Sequence, residues 1–290
     1  MERTISRICI RGWSFSRGAV MTKENRQKCK EIILEAGRRL LSMHELNIEQ
    51  KTDFNNLVTS CDKDTQEYLT NELAKIDPEA TFLCEENHLH DASGDHMFII
   101  DPIDGTSNFI HDFRISGISV AYADQEKVLW GMIYNPYMKE FFEAALGEGA
   151  YLNGKKIQVR NQPLERCLVN FGTSPYYQEW QDETFEFARF MKDHCIDLRR
   201  TGSAALDYCY TACGRCGLFY EREQQAWDFA AGMCIVKEAG GITVNFEGKT
   251  PDHRKKTGAV VGPAENVEAF FRLYEEFKKQ QAAGHYKFTN

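Results

Sequence analysis

The stretch from Met97 to Phe109 constrains this 290-residue chain more than any other. Met97 to Ile100 is an apolar run that reads as a buried strand, and Asp101-Pro102-Ile103-Asp104-Gly105-Thr106 comes next, where that strand must stop. Pro102 donates nothing to a sheet ladder and drives the residue before it toward an extended conformation. Asp101 and Asp104 are thereby held at a stiff strand end, close enough to share hard cations. Gly105 lets the backbone approach an anion, and the N–H groups from Gly105 and Thr106 onward can cradle a phosphate if a helix or turn begins there. An Asp-Pro turn closing a core strand is the plainer alternative. Two acids, a glycine and a hydroxyl packed this closely favour a metal–phosphate site.

Composition narrows the setting. With 42% hydrophobic and 27% charged residues, the chain has ample material for a core, as one large domain or two tightly joined ones. A formal net charge of -8 argues against general binding to nucleic acid or to an acidic membrane. A negative protein acting on an anionic substrate needs local positive charge, and a divalent metal supplies it. Ten cysteines would suit a disulfide scaffold in a short secreted chain. Here they are scattered through apolar patterns with no export signal before them, which points to a reducing cytoplasm. No apolar run approaches the roughly 18 residues of a spanning helix.

Residues 1–20 differ from the rest of the chain. Arg3, Arg7, Arg11 and Arg17 stand against the single acid Glu2, with no clear period. A transit peptide shares that bias, but a floppy extension ahead of a functional start at Met21 is the simpler expectation. A domain over 21–290 is expected after it, in halves of about 21–160 and 161–280. Thr22 can cap a helix that buries Cys29, Ile32, Ile33, Ala36 and Leu40. Leu57 to Thr59 suits a short strand, and Asp62 can cap the helix after it. Thr81 to Cys84 is an apolar run ending in Glu85 and Glu86, adjacent acids that a strand would point to opposite faces. His88 and His90 fall in a polar segment expected to be a solvated loop. From 116 to 160 the period is that of an antiparallel meander, with Asn153-Gly154 as a hairpin signal.

The second half alternates strands and helices. Ser203 can cap a helix, Leu218 to Tyr220 reads as a strand with Glu221 after it, and Ala226 to Glu238 is a helix ended by Gly240-Gly241. Asp228 lies in the first turn of that helix, where a carboxylate is favoured by the dipole and can cap or bind a cation. Cys213 and Cys216 form a lone C-x-x-C without the second pair that zinc requires, so packing is the expected role.

Taken together, the 97–109 stretch, Leu57-Val58-Thr59-x-x-Asp62, Cys84-Glu85-Glu86 and Ala226-Trp227-Asp228-Phe229-Ala230-Ala231-Gly232 resemble, in order, the motifs of the inositol monophosphatase family. These are Mg-dependent, lithium-sensitive sugar-phosphate phosphatases. The chain departs from the pattern at Cys61, where another small polar residue is common, and at Cys84, where glycine is usual. The resemblance covers about Met21 to Phe277. It implies an α/β fold of the α+β type, the layered α/β/α/β/α sandwich, with both halves sharing one cleft. It implies two to three Mg²⁺ ions held by Glu86, Asp101, Asp104 and Asp228 with the carbonyl of Ile103, and Glu85 supporting a further, weaker ion. Thr106, polarised by Asp62, would orient the attacking water. Gly105 and Thr106 would bind phosphate, Lys51 would lie on an accessory loop, and Gly202, Ser203, Ala204 and Glu221 would receive substrate hydroxyls, for which small residues make room and a carboxylate accepts protons. Gly172 and Thr173 are further candidates for that pocket. The substrate implied is inositol monophosphate or a similar polyol phosphate, the assembly a homodimer. A 3′-phosphonucleotide, NADP or fructose 1,6-bisphosphate is the alternative substrate, and a non-catalytic regulator on the same fold the alternative of another class.

Overall fold

The computed structural model describes residues 21–43, 47–50, 57–86, 91–175 and 177–284. The expectations for residues 1–20, for Lys51 and for His88 and His90 lie outside them. Helix α1 (Lys23–Ser42) begins where the Thr22 hydroxyl accepts from the Asn25 N–H at 3.1 Å. A hairpin of β1 (Ile48–Gln50) and β2 (Leu57–Thr59) leads into α2 (Ser60–Leu73). Next come β3 (Thr81–Cys84), β4 (His96–Asp104), the short α3 (Thr106–Ile110), β5 (Gly117–Asp124), β6 (Val128–Asn135), β7 (Glu140–Ala145), β8 (Gly149–Leu152) and β9 (Lys155–Ile157). Strands β3 to β9 form one sheet in sequence order, parallel only between β3 and β4.

The second half holds β10 (Leu168–Phe171), α4 (Gln181–Lys192), β11 (Asp197–Arg199), α5 (Ala204–Ala212), β12 (Leu218–Gln224), α6 (Ala226–Glu238), β13 (Ile242–Val244), β14 (Thr257–Gly262) and α7 (Ala264–Ala282). Its sheet runs in the order β11-β10-β12-β14-β13.

The layers are set by which side chains meet. Ile118, Val120 and Tyr122 of β5 face Cys29 and Ile33 of α1 and Leu69 of α2. On the other face of that sheet, Ala121 and Ala123 meet Ala205 and Leu206 of α5 and Phe229 to Ala231 of α6. Small residues on this face and on α6 let helix and sheet approach closely. The same two helices pack on Phe219, Ala259 and Val261 of the second sheet. Its far face is covered by α4 and α7, whose Phe187, Phe270 and Phe277 cluster with Tyr220. The order α/β/α/β/α is the expected sandwich.

Three local expectations change. Strand β4 does not stop at Asp101 but runs on to Asp104, because the ladder to β5 slips between those two residues. Pro102 sits in that irregularity, where no ladder donor is needed. Strand β12 likewise extends to Gln224, so Glu221 lies inside it. Asp62 is not the cap of α2: Thr59 takes that position, and Asp62 sits three residues further on, completing a reciprocal capping box. The nine cysteines among the described residues form no disulfide, and Cys216 is buried with its thiol against the Asn170 side-chain oxygen at 2.8 Å. No helix of the described residues is long and apolar enough to cross a membrane.

Candidate functional site

The β4 irregularity and the starts of α3, α5 and α6 meet at one cleft of about 400 Å³. Asp101 turns back so that its Oδ1 accepts from the Ile103 N–H at 2.9 Å. Asp104 reaches the start of α5, where its Oδ2 accepts from the Ala205 N–H at 2.8 Å and from the Ser203 hydroxyl. Asp228 is the third residue of α6, and its Oδ2 accepts from the Gln225 N–H at 2.8 Å. One carboxylate oxygen from each of Asp101, Asp104 and Asp228 lies within 4.8 Å of the others. Helix N-termini favour negative charge, but three carboxylates this close, two of them buried and Asp228 half-buried, repel one another. Burial, then Glu85 and the neighbouring aspartates, push Asp101 well above the ordinary carboxylate range. Burial and the charges of Asp104 and Glu85 do the same to Asp228. Burial also raises Asp104, against the bonds from Ser203 and Ala205. Hard oxygen donors that cannot all stay ionised alone are the donor set that a divalent cation suits.

The two glutamates after β3 separate. Glu85 donates its N–H to the Ile100 carbonyl at 3.2 Å and lines the cleft. Glu86 is 5% exposed, and its backbone is held on both sides by the Gln66 amide, at 2.8 Å and 2.6 Å. Cys84 between strand and turn is fully buried and paired with Ile100. Of the two acids, Glu85 is the one that the structure brings to the cleft wall with the aspartates.

Beside this centre the Thr106 hydroxyl stands 3.2 Å from Asp62 Oδ1 and 3.1 Å from the Ile103 carbonyl. Asp62 Oδ2 accepts from both the N–H and the hydroxyl of Thr59, at 2.7 Å and 2.6 Å. Burial raises the Asp62 carboxyl to about 7, even against those bonds from Thr59, with Glu85 and Glu86 adding to the rise. The Ile103 side chain anchors the turn among Leu40, Cys61 and Phe109. Gly105 precedes α3 at φ 89°, a left-handed conformation that glycine adopts freely.

The opposite wall carries the remaining candidates. Gly202, Ser203, Ala204 and Glu221 all line the cleft. The Ser203 hydroxyl is engaged with Asp104 and with the Leu206 N–H, as the cap of α5. Glu221 is 7% exposed; its two oxygens accept from the Ser174 N–H at 2.8 Å and the Gln224 amide at 3.0 Å. It lies so close over Gly172 that a Cβ there would stand 2.0 Å from the Glu221 carboxyl carbon. Glu221 is therefore part of the cleft and no surface partner of Arg222, whose guanidinium stacks between Trp180 and Phe246. Sequence reasoning missed Thr59 and Gln224, which act by holding another residue's carboxylate. It also missed Asp207, a buried acid of α5 that lines the cleft and accepts from the Asn170 amide. An acid one turn beyond the Ser203 cap is the only signal that pointed to it.

Comparison with known proteins shows what the chain is similar to. The model of the inositol monophosphatase family matches residues 19–279. A fructose-1,6-bisphosphatase/inositol-1-monophosphatase of Thermotoga maritima is 38% identical over 204 residues, 70% of this chain and 77% of that protein. The Nus factor SuhB of Xylella fastidiosa is 34% identical over 73% of this chain and 76% of its own length. Among solved structures, the extragenic suppressor protein suhB of Bartonella henselae superposes with a TM-score of 0.81 at 31% identity, covering 87% of this chain and 98% of that one. An IMPase of Thermotoga maritima does so at 0.77 and 32%, covering 88% and 100%. The chain belongs to the inositol monophosphatase family.

Proposed function

We propose that the chain is a Mg²⁺-dependent phosphomonoesterase that hydrolyses inositol monophosphate or a similar polyol or sugar phosphate. The observation that carries this reading is the convergence of Asp101, Asp104 and Asp228 beside a Thr106–Asp62 pair in one cleft. Two to three ions are assigned to these aspartates, the Ile103 carbonyl, Glu86 and Glu85, of which Glu85 lines the cleft. Bound there, magnesium supplies positive charge to the phosphate oxygens and makes water more acidic. The chain's own groups do the rest. Thr106 donates its hydroxyl proton to Asp62 or to the Ile103 carbonyl, both within reach, and so turns a lone pair toward the water it orients. Thr59 keeps Asp62 in place for that task. The water oxygen forms a bond to phosphorus, the ester P–O bond breaks, and the alcohol leaves with a proton from that water. Gly105 and Thr106 offer backbone N–H groups to the phosphate, and Ala204 and Gly202 leave room for a ring whose hydroxyls donate to Glu221.

The unpaired cysteines among the described residues support a reducing compartment, taken as the cytoplasm, and the resemblance supports a homodimer. The relatives named Nus factor motivate a second reading, a regulator that uses this fold to bind a partner. Phosphate release from a panel of monoesters, with and without Mg²⁺, separates the two. Turnover should require Mg²⁺ and should be lost in Asp104→Asn, which keeps shape but removes charge that a hard cation needs. Turnover that survives chelation, or a folded Asp104→Asn protein of normal activity, would refute the metal assignment.

A further inference from the structure

Strand β12 carries two cleft residues, Glu221 and Gln224, that a regular strand would point to opposite faces, since successive side chains alternate. The ladder to β14 slips between them. Glu221 pairs with Ala259 and Gln224 with Thr257, so three steps on β12 match two on β14. The extra residue turns Gln224 back to the Glu221 face, and its Nε2 donates to Glu221 Oε2 at 3.0 Å. Its Oε1 accepts from the Tyr208 hydroxyl at 3.1 Å. Tyr208 itself does not line the cleft. It is fully buried on α5, edge-on to Phe219, and so close over Gly232 of α6 that a Cβ there would stand 2.5 Å from the Tyr208 Cγ.

A buried phenol needs a partner, and that need alone accounts for one bond. The direction of the bonds accounts for more. An ionised carboxylate only accepts, so the Gln224 amide must offer it nitrogen, which leaves the amide oxygen toward Tyr208. Tyr208 meets that oxygen as a donor, and burial, by pushing the phenol pKa up, keeps its proton in place. The amide is thus locked in the one orientation that presents Glu221 with a donor. Burial raises the Glu221 carboxyl, while the Ser174 N–H and the Gln224 amide act against that rise. Each Glu221 oxygen takes one of these two bonds, which leaves lone pairs for hydroxyls in the cleft. The same segment reaches the aspartates, because Gln225, next in sequence, donates its N–H to Asp228 Oδ2 at 2.8 Å.

We propose that Tyr208 and Gln224 are positioning residues for the substrate: Tyr208 orients the Gln224 amide, Gln224 holds Glu221 as a hydroxyl acceptor, and the pair sets a preference for polyol phosphates over esters without hydroxyls. The inference rests on the phosphatase reading and deepens it. Neither residue acts at phosphorus; both act through Glu221, whose acceptor pattern penalises a substrate that lacks the matching hydroxyls.

Inositol 1-phosphate and p-nitrophenyl phosphate are the two probes, because only the first has ring hydroxyls. Initial rates on both, by the full chain with Mg²⁺, give a ratio of kcat/KM values. Tyr208→Phe removes one oxygen from outside the cleft. It should lower the inositol-to-nitrophenyl ratio about three- to tenfold, mainly by raising KM for the inositol ester, the scale of one lost hydrogen bond. Gln224→Leu should lower the ratio about tenfold or more, since its bond is to a charged group. In the Gln224→Leu protein, Tyr208→Phe should lower it no further, because the path to Glu221 is already cut. Equal losses on the two esters, a ratio that Tyr208→Phe leaves unchanged, or a second full loss in the double variant makes the pair core packing and overturns the assignment. So does a wild type that turns over only p-nitrophenyl phosphate. Where melting temperatures show that Tyr208→Phe does not fold, Gln224→Leu decides by the same ratio. A wild type that hydrolyses neither ester with Mg²⁺ would instead bring down the phosphatase reading itself.

Discussion

Thr106 has one hydroxyl proton and two acceptors within reach, Asp62 and the Ile103 carbonyl. Whichever takes the proton, the hydroxyl keeps a lone pair for water, and its oxygen adds little to a cation's charge balance. Thr106→Ala should therefore lower kcat about 10²- to 10³-fold, the scale of a lost proton-handling group, with Mg²⁺ affinity changed only a few-fold. Calorimetric titration of Mg²⁺ alongside turnover checks it; a parallel collapse of affinity would make Thr106 a ligand instead. Individual residues were legible where a special backbone or a charge in an apolar setting marked them: Asp101, Asp104, Gly105 and Asp228 each interrupt a strand end or open a helix. Thr59 and Gln224 were not legible, because a threonine in a β-run and a glutamine after a strand look ordinary until the carboxylate they hold is in view. Glu85 and Glu86 showed that two faces were at issue; in the structure Glu85 lines the cleft while the Glu86 backbone is bonded on both sides by Gln66.

At the scale of elements, periodicity located the helices and strands well and their ends less well. Helix α6 begins and ends where its sequence says, because the Asp228 carboxylate accepts from the Gln225 N–H at one end and Gly240 stands at the other. Strand β4 outruns its expected stop, since a proline breaks a ladder only where the ladder needs its N–H, and the register slip removes that need. The start of α2 joins an element to the site. Thr59 caps the helix and also donates to Asp62, so one hydroxyl serves both the helix end and the Thr106–Asp62 pair proposed to orient water. Thr59→Ala should cost about 1–2 kcal/mol of stability, the usual loss of a cap, and should lower turnover because Asp62 loses a bond that holds it. Thr59→Ser should restore both. Urea midpoints and kcat measured on the same preparations check this, and a Thr59→Ala protein with normal turnover would detach Asp62 from catalysis.

The whole molecule places its least stable charges where its layers meet. The aspartates sit where the end of β4 meets the starts of α5 and α6, Asp101 and Asp104 buried and Asp228 half-buried, and Asp62 stands nearby on α2. In the folded protein without a cation these carboxyls hold protons that the unfolded chain gives up near its ordinary range of about 4. The folded state then binds more protons than the unfolded between that value and the raised folded one, which for Asp62 is about 7. Across that window stability falls as pH rises. The stabilisation is fully present below the unfolded value and is lost as pH climbs through the folded one. With chelator, the melting temperature should drop between pH 5 and pH 8 by roughly 5 °C or more, given that about 1 kcal/mol shifts a domain of this size by a few degrees. Saturating Mg²⁺ should remove most of that drop, because a cation that binds only the folded state stabilises it by mass action and favours the ionised acids. Asp228→Asn keeps an oxygen for the Gln225 N–H but deletes one of the crowded charges. It should lessen the pH-dependent drop in chelator and lose most of the Mg²⁺-induced rise. Scanning calorimetry at both pH values, with and without Mg²⁺, gives every number this requires. A wild-type melting temperature that is flat from pH 5 to pH 8 in chelator, or a Mg²⁺ shift that Asp228→Asn leaves whole, would mean that the acids are neutralised by something other than a shared cation.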